Sequence, residues 1–222
     1  MTRTRRATVA MLLVGLAIFS SLYSTQAILP TLVQNMGLSS TEAAMTVSAA
    51  TGALALCVVP ASILSERFGR GRILLISAVS ATSVGLIVPL AAEGWHLILL
   101  RGLQGALLSG APATAMAWLS EELDDKALPR AMGLYIAGTS VGGLTGRLIP
   151  TGLVEISTWR WALFGSALVS LAFAITSWLL LPAQRNFRPK SIHLTSESRA
   201  LFGHWANRDL ALLFLTAFLS MG

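Results

Sequence analysis

One cysteine, three histidines and ten acidic residues are all that 222 residues offer for redox, metal or proton chemistry. Cys57 lies inside an apolar run, so a disulfide framework and a thiolate metal site are both excluded. His96, His193 and His204 fall in polar stretches between apolar runs, and no His-Glu-x-x-His occurs. Charged residues make up only 12% of the chain, about half of what a soluble domain carries. The acids Glu42, Glu66, Glu93, Glu121, Glu122, Asp124, Asp125, Glu155, Glu197 and Asp209 all lie in loops or at the ends of apolar runs. No carboxylate stands where a mid-membrane proton site would need one.

Apolar sequence takes the place of charge. Hydrophobic residues account for 54% of the chain and the mean hydropathy is +0.70. Windows of roughly 20 apolar residues, the length that crosses a ~30 Å hydrocarbon core as a helix, fall at about 8–30, 43–64, 73–92, 97–119, 131–152 and 161–182. The expected fold is therefore an all-α membrane protein, a six-helix transmembrane bundle over 1–182. Arg3, Arg5 and Arg6 ahead of the first run resemble a signal peptide with cleavage after Ala27. That run is longer than the ~7–15 residues of a signal h-region and more apolar segments follow, so it is read as a retained span. Ser39, Ser40 and Thr41 are N-cap types before the second run, with Glu42 in its first turn.

The net charge of +6 would suit nucleic acid, but its distribution indicates topology instead. With the N-terminus in the cytoplasm, 13 of the 16 Lys and Arg residues fall inside, Arg160 falls outside, and Arg101 and Arg147 lie within spans. That is a strong positive-inside bias. Trp95, Trp159 and Trp161 are expected at the outer interface, and Trp118 and Trp178 near the inner one. The stretch 183–208 is basic and polar and reads as a cytoplasmic linker, with an ordinary tail as the plainer alternative. A seventh apolar run, 209–222, would rise only ~21 Å as a helix, so the chain reads as cut off inside a seventh span.

Two groups of residues sit where chemistry is expected. Between the second and third runs, Ser62, Leu64, Glu66, Arg67, Gly69, Arg70 and Arg72 make a compact charged turn. A carboxylate at a helix C-terminus opposes the helix dipole, so Glu66 needs the neighbouring arginines, and Gly69 permits the reversal. A plain positive-inside loop with one neutralising acid is the alternative. In the fourth run, Arg101 shares a helix stripe with Gly105, Ser109 and Ala113, and Gln104 follows one turn on. An intramembrane Arg costs ~2.5–3.5 kcal/mol at a helix centre unless it faces a partner or a cavity, or reaches the interface.

Both groups resemble signatures of the major facilitator superfamily of transporters. The first is similar to its Gly-x-Leu-Ala-Asp-Arg-x-Gly-Arg-Lys motif, with Ser62 for Gly, Glu66 for Asp and Gly71 for the usual base. Arg101 with Gln104 and Gly105 is similar to the Arg-x-x-Gln-Gly motif of its drug/proton antiporters. The resemblance covers residues 7–222, one six-helix half with the start of the next. It implies alternating access between two such halves, a cytoplasmic gate in which Glu66 docks on a helix N-terminus and an Arg of the partner half, and proton coupling at Arg101. The implied protein is an efflux-type carrier of a small molecule in a prokaryotic plasma membrane, its C-terminal six-helix half missing here. No cofactor is implied beyond a proton gradient, and the expected partners are lipid, substrate and that second half, with no nucleic acid.

Gly138, Gly142 and Gly146 step by four along the fifth run, with Gly143 adjacent, which is a face for close helix packing. This strip lacks the Gly-Pro pair of the antiporter motif. Arg147, Gln26 and Arg101 lie at similar depth, and Tyr23 through Gln26 make the first run unusually polar there. One polar pocket lined by Tyr23, Gln26, Arg101, Gln104, Gly105 and Arg147 is expected, unless Arg147 reaches the interface instead. Glu121, Glu122, Asp124 and Asp125 read as a solvated loop opening the fifth run, with pairing to the basic turn as the alternative. An intramembrane protease built on Ser109 lacks a membrane His. A non-transporting half or scaffold stays open as a reading. Substrate identity is not legible.

Overall fold

The computed structural model describes residues 2–187. The run 209–222, expected to open a seventh span, lies outside the described residues, as does the 183–208 stretch after residue 187. The described residues form helices α1 (Arg3–Tyr23), α2 (Leu29–Met36), α3 (Ser40–Phe68), α4 (Arg70–Ile87), α5 (Gly94–Leu108), α6 (Gly110–Glu122), α7 (Leu128–Ile156) and α8 (Trp159–Leu180), with no strand among them.

These build the six expected passes. α1, a 3₁₀ turn at Gln26–Ile28 and α2 make the first, and α5 with α6 makes the fourth, divided at Ser109. Four stretches meet the length and hydropathy of a membrane span by themselves: Arg3–Met36, Ser40–Phe68, Arg70–Leu90 and Trp159–Leu180. The fourth pass is split into two shorter helices, and the fifth, α7, has its hydropathy diluted by six glycines and Arg147.

Each pass begins two to five residues ahead of its apolar window, and at α3 a capped polar turn accounts for the extension. At α3, Ser39 Oγ accepts from the Glu42 N–H at 3.2 Å while Glu42 Oε2 accepts from the Ser39 N–H at 2.8 Å. This reciprocal capping box satisfies two otherwise orphaned donors. α3 and α4 are separated by Gly69 alone, at φ 101°, a backbone conformation that side-chain-bearing residues rarely adopt.

α1 runs through the middle of the bundle and packs chiefly on α7 and α8, while α3 lies against α5, and α4 against α6 and α8. α3 buries only Ala43, Thr46, Ala50 and Ser65, so most of its apolar surface faces outward. One core cluster gathers around Met11, Val14, Ile18, Leu74, Leu108 and Trp118. A smaller one, around Ile28, Leu32, Leu97, Trp159 and Leu163, closes the far end. Trp118 is thus no interfacial anchor: it is fully buried, with its Nε1–H unpartnered, beneath Gly71. Trp159 is buried as well, whereas Trp95, Trp161 and Trp178 are about half exposed.

Candidate functional site

At the end of the bundle that holds the N-terminus, the expected charged turn is mostly helix. Ser62 through Phe68 are the last turns of α3 and Arg70 through Arg72 the first turn of α4, which leaves Gly69 as the whole reversal. Arg70 draws the motif together. Its Nη2 lies 3.6 Å from Glu66 Oε1, and its Nε donates to Glu121 Oε1 at 2.5 Å. Leu64, Arg67 and Arg72 are exposed, with Arg67 over the Phe68 ring at 5.4 Å, and the Ser62 carbonyl accepts from Ser65 Oγ. The N-terminus of α4 is occupied by Gln184, whose Oε1 accepts from the Gly71 N–H at 3.2 Å while its Nε2 donates to Glu121 at 3.1 Å.

Glu121 and Glu122 are therefore not a solvated loop. Both lie in the last turn of α6, where acids oppose the dipole, and cations offset that cost. Glu122 pairs with Arg3 at 2.5 Å and accepts from the N–H groups of Arg185 and Asn186. Asp124 closes the turn that leads into α7, its Oδ1 accepting from the Ala127 N–H at 3.2 Å.

The expected single pocket is two clusters on different sides of the end of α1. The first belongs to Arg101, which is fully buried. α1 stops at Tyr23, so the carbonyls of its last turn lack helical partners. Arg101 supplies two of them, Nη1 donating to the Ser21 carbonyl at 3.1 Å and Nη2 to the Leu22 carbonyl, while Nε reaches across to the Thr46 carbonyl on α3 at 3.4 Å. Nη1 also meets Gln104 Oε1 at 2.5 Å. Gln104 Nε2 in turn donates to Ser21 Oγ at 2.7 Å and to the Ala81 carbonyl at 3.2 Å. A cation at a helix C-terminus also complements the dipole. The adjoining void is only about 10 Å³, lined by Ser21, Ser24, Gln104 and the unpartnered Ser166 hydroxyl. Gly105 lines no cavity, because a Cβ there would run into the backbone of Ala50 on α3.

The second cluster lies on the seam between α1 and α7. Arg147 stacks on Tyr23, its guanidinium carbon 4.3 Å from the ring centre. Its Nε donates to Gln26 Oε1 at 3.0 Å and its Nη1 to the Gly143 carbonyl at 3.1 Å. Gln26 is exposed, Tyr23 and Arg147 are half-buried, and no ion pair to Arg147 occurs among the described residues. The glycine strip makes the seam possible. A Cβ on Gly142 would stand 2.8 Å from the Gly15 carbonyl oxygen, and one on Gly146 would stand 2.5 Å from that of Ser20. Gly138 meets the Leu12 carbonyl in the same way, while Gly143 faces the Tyr23 ring.

Sequence reasoning had no sight of Gln184, Ser21 or Leu22. The polar run Tyr23-Ser-Thr-Gln26, whose Ser and Thr compete with helical hydrogen bonds, and Pro30 just beyond it were the available signals for the break in the first pass.

Comparison with known proteins supplies the wider context. The family model described as Major Facilitator Superfamily matches residues 11–222. The inner membrane transport protein YnfM of Escherichia coli (strain K12) is 37% identical over 218 residues, which are 98% of this chain and 52% of that protein. An uncharacterized MFS-type transporter of Bacillus subtilis (strain 168), YybF, is 33% identical over 98% of this chain and 54% of its own length. A gallate transporter of Pseudomonas putida is 28% identical over 72% of this chain and 36% of that protein. The crystal structure of a bacterial homolog of the human lysosomal transporter Spinster, inward-facing and unoccupied, superposes with a TM-score of 0.66. That match has 18% identity and covers 93% of this chain and 50% of the other, which speaks for the fold alone. The chain spans about half the length of the curated relatives it matches.

Proposed function

This chain belongs to the Major Facilitator Superfamily, and on that premise we propose that it forms the N-terminal six-helix half of a secondary active transporter that exports a small molecule by alternating access. The observation that carries the substrate site is the Arg147–Tyr23–Gln26 cluster. It is polar, part-exposed and mounted on two helices locked together by glycine contacts. A rigid mount of that kind holds a recognition group in place while the whole half rocks. The second half supplies the facing wall. Arg101 and Gln104 act behind the site, fixing where α1 ends and therefore where Tyr23 and Gln26 stand.

The same reading places the N-terminus in the cytoplasm of a prokaryote, on the strength of 13 of 16 cations, and makes the Glu66–Arg70–Glu121 group part of the inner gate. Proton antiport is the coupling that the Arg101-x-x-Gln104-Gly105 resemblance suggests. The eight acids among the described residues lie at helix ends or in loops, so on this reading the titrating carboxylate comes from the second half.

Everted membrane vesicles from cells expressing the protein provide the test. Energised by an imposed proton gradient, they are offered labelled organic acids, sugars and cationic drugs. At least one compound accumulates in a protonophore-sensitive manner, and Arg147→Ala lowers its rate about tenfold or more. Accumulation indifferent to the gradient defeats the antiport reading. Accumulation indifferent to Arg147→Ala and Gln26→Ala moves the site elsewhere.

A further inference from the structure

We propose that the groove between the first turns of α1 and α7 is a capture site for a small soluble organic anion, a carboxylate or phosphate ester, at the opposite end of the seam from Arg147. This rests on the transport reading and gives it a substrate class. The groove is open to the surface and holds about 710 Å³, a volume within the range of small-molecule sites. Its charge comes from Arg5, Lys126 and Arg130, all exposed and none in an ion pair among the described residues. At the same end of the bundle Arg3 and Arg70 are held by carboxylates and Arg6 by the carbonyls of Leu179 and Leu180. Asp124 is the only acid in the lining, and its Oδ1 is engaged by the Ala127 N–H. Three cations less one carboxylate leave the groove two charges positive.

Two further features match an anion. α1 and α7 both begin here, so the positive ends of two long helices add to the side-chain charge. Thr2, Thr4 and Thr8 line the wall, with the Thr2 and Thr8 hydroxyls already bonded to the α1 backbone, and seven of the ten lining residues are polar or charged. Val9 and Leu134 provide little surface for an acyl chain, which favours a soluble ligand over a lipid headgroup. The placement completes the case. Arg5 and Tyr23 are 18 residues apart on one helix, about 27 Å along its axis and close to a hydrocarbon thickness. The two ends of the α1–α7 seam thus both carry excess positive charge, two charges at the groove and Arg147 at the other end. A carrier that opens alternately to each side meets its anion at either mouth.

The test needs no knowledge of the substrate. In a Cys57→Ser background, Thr4→Cys places a thiol on the exposed wall of the groove. The protein is reconstituted in zwitterionic phosphatidylcholine nanodiscs, and modification rates are compared for an anionic and a cationic methanethiosulfonate. The anionic reagent is favoured, and Arg5→Gln/Lys126→Gln/Arg130→Gln lowers the anionic-to-cationic rate ratio about tenfold, as a focusing cleft requires. An unchanged ratio overturns the proposal. Anionic phosphatidylglycerol discs lower the ratio in both proteins through surface potential, and the tenfold difference between the proteins is expected to persist. Protection of the thiol from both reagents, lost in the triple variant, means that lipid fills the groove and also overturns it. A parallel Gln26→Cys series with Arg147→Gln reports on the other end. A flat result at Thr4 beside an Arg147-dependent preference at Gln26 sinks the groove alone. The converse result sinks the Arg147 site.

Discussion

Gly142 and Gly15 meet backbone to backbone, so close that a Cβ on Gly142 would stand 2.8 Å from the Gly15 carbonyl oxygen. Gly133 and Gly152, on the same α7, have open space where a Cβ would go. The difference separates packing from helix propensity. Gly142→Ala forces α7 off α1 and lowers stability by about 1–3 kcal/mol. Gly133→Ala gains up to ~1 kcal/mol of helix propensity. Thermal unfolding in detergent reads both, and equal shifts would mean that the seam is not close-packed.

Arg101→Ala withdraws the donors from the Ser21, Leu22 and Thr46 carbonyls and from Gln104 together. Buried acceptors without donors are costly, so the expected loss is about 3–5 kcal/mol. Arg101→Lys restores less than half of it, because one ammonium cannot span four acceptors spread across two helices and a side chain. Unfolding by SDS titration measures the series. Full rescue by Lys would show that charge matters and geometry does not.

Ser166 offers the opposite case. Its hydroxyl is fully buried with no hydrogen-bond partner, beside the small void that Gln104 also lines. Ser166→Ala removes a desolvated polar group with little change in volume and leaves stability unchanged or raises it by up to ~1 kcal/mol. A loss beyond 1 kcal/mol in the same detergent assay would reveal a partner for that hydroxyl.

The Arg70–Glu121 pair is short but part-exposed, with side chains 15% and 32% accessible. Solvent screening keeps its coupling near 0.5–1 kcal/mol in a double-mutant cycle of Arg70→Gln and Glu121→Gln, and half a molar salt removes most of it. The Arg101 effect is insensitive to the same salt, because no solvent reaches it.

Hydropathy carried the six passes, since a bilayer demands ~20 apolar residues whatever the detail of packing. It placed their starts late by a few residues, at α3 because the capped polar turn Ser39–Glu42 is already helix, and it carried the third and sixth windows about two residues past the helical end. The glycine strip was legible at its four-residue step, although nothing in the sequence named α1 as its partner. Arg101 drew attention by its cost, yet its partners are backbone carbonyls, and every residue has one of those. The split of the expected pocket follows from the break at Tyr23. A continuous first helix would have put Gln26 and Arg101 in a different relation, and three polar residues were too faint a mark of that break. Glu121 and Glu122 read as loop because acids at a helix C-terminus are unfavourable until Arg3 and Arg70 arrive from more than fifty residues away along the chain.

Gln184 has a mechanical consequence. Its amide is tied both to the first turn of α4 and to Glu121, while the next two residues are hooked by Glu122. The backbone that leaves α8 is thus anchored at the α3–α4 corner. Tension applied at Phe187 would arrive first at Glu122 and the Glu121 carbonyl, next through Gln184 at the Glu121 side chain and the first turn of α4, and reach the shaft of α8 only after those bonds had yielded. The end of α6 and the start of α4 are in effect the strain gauge for any pull on the chain at Phe187.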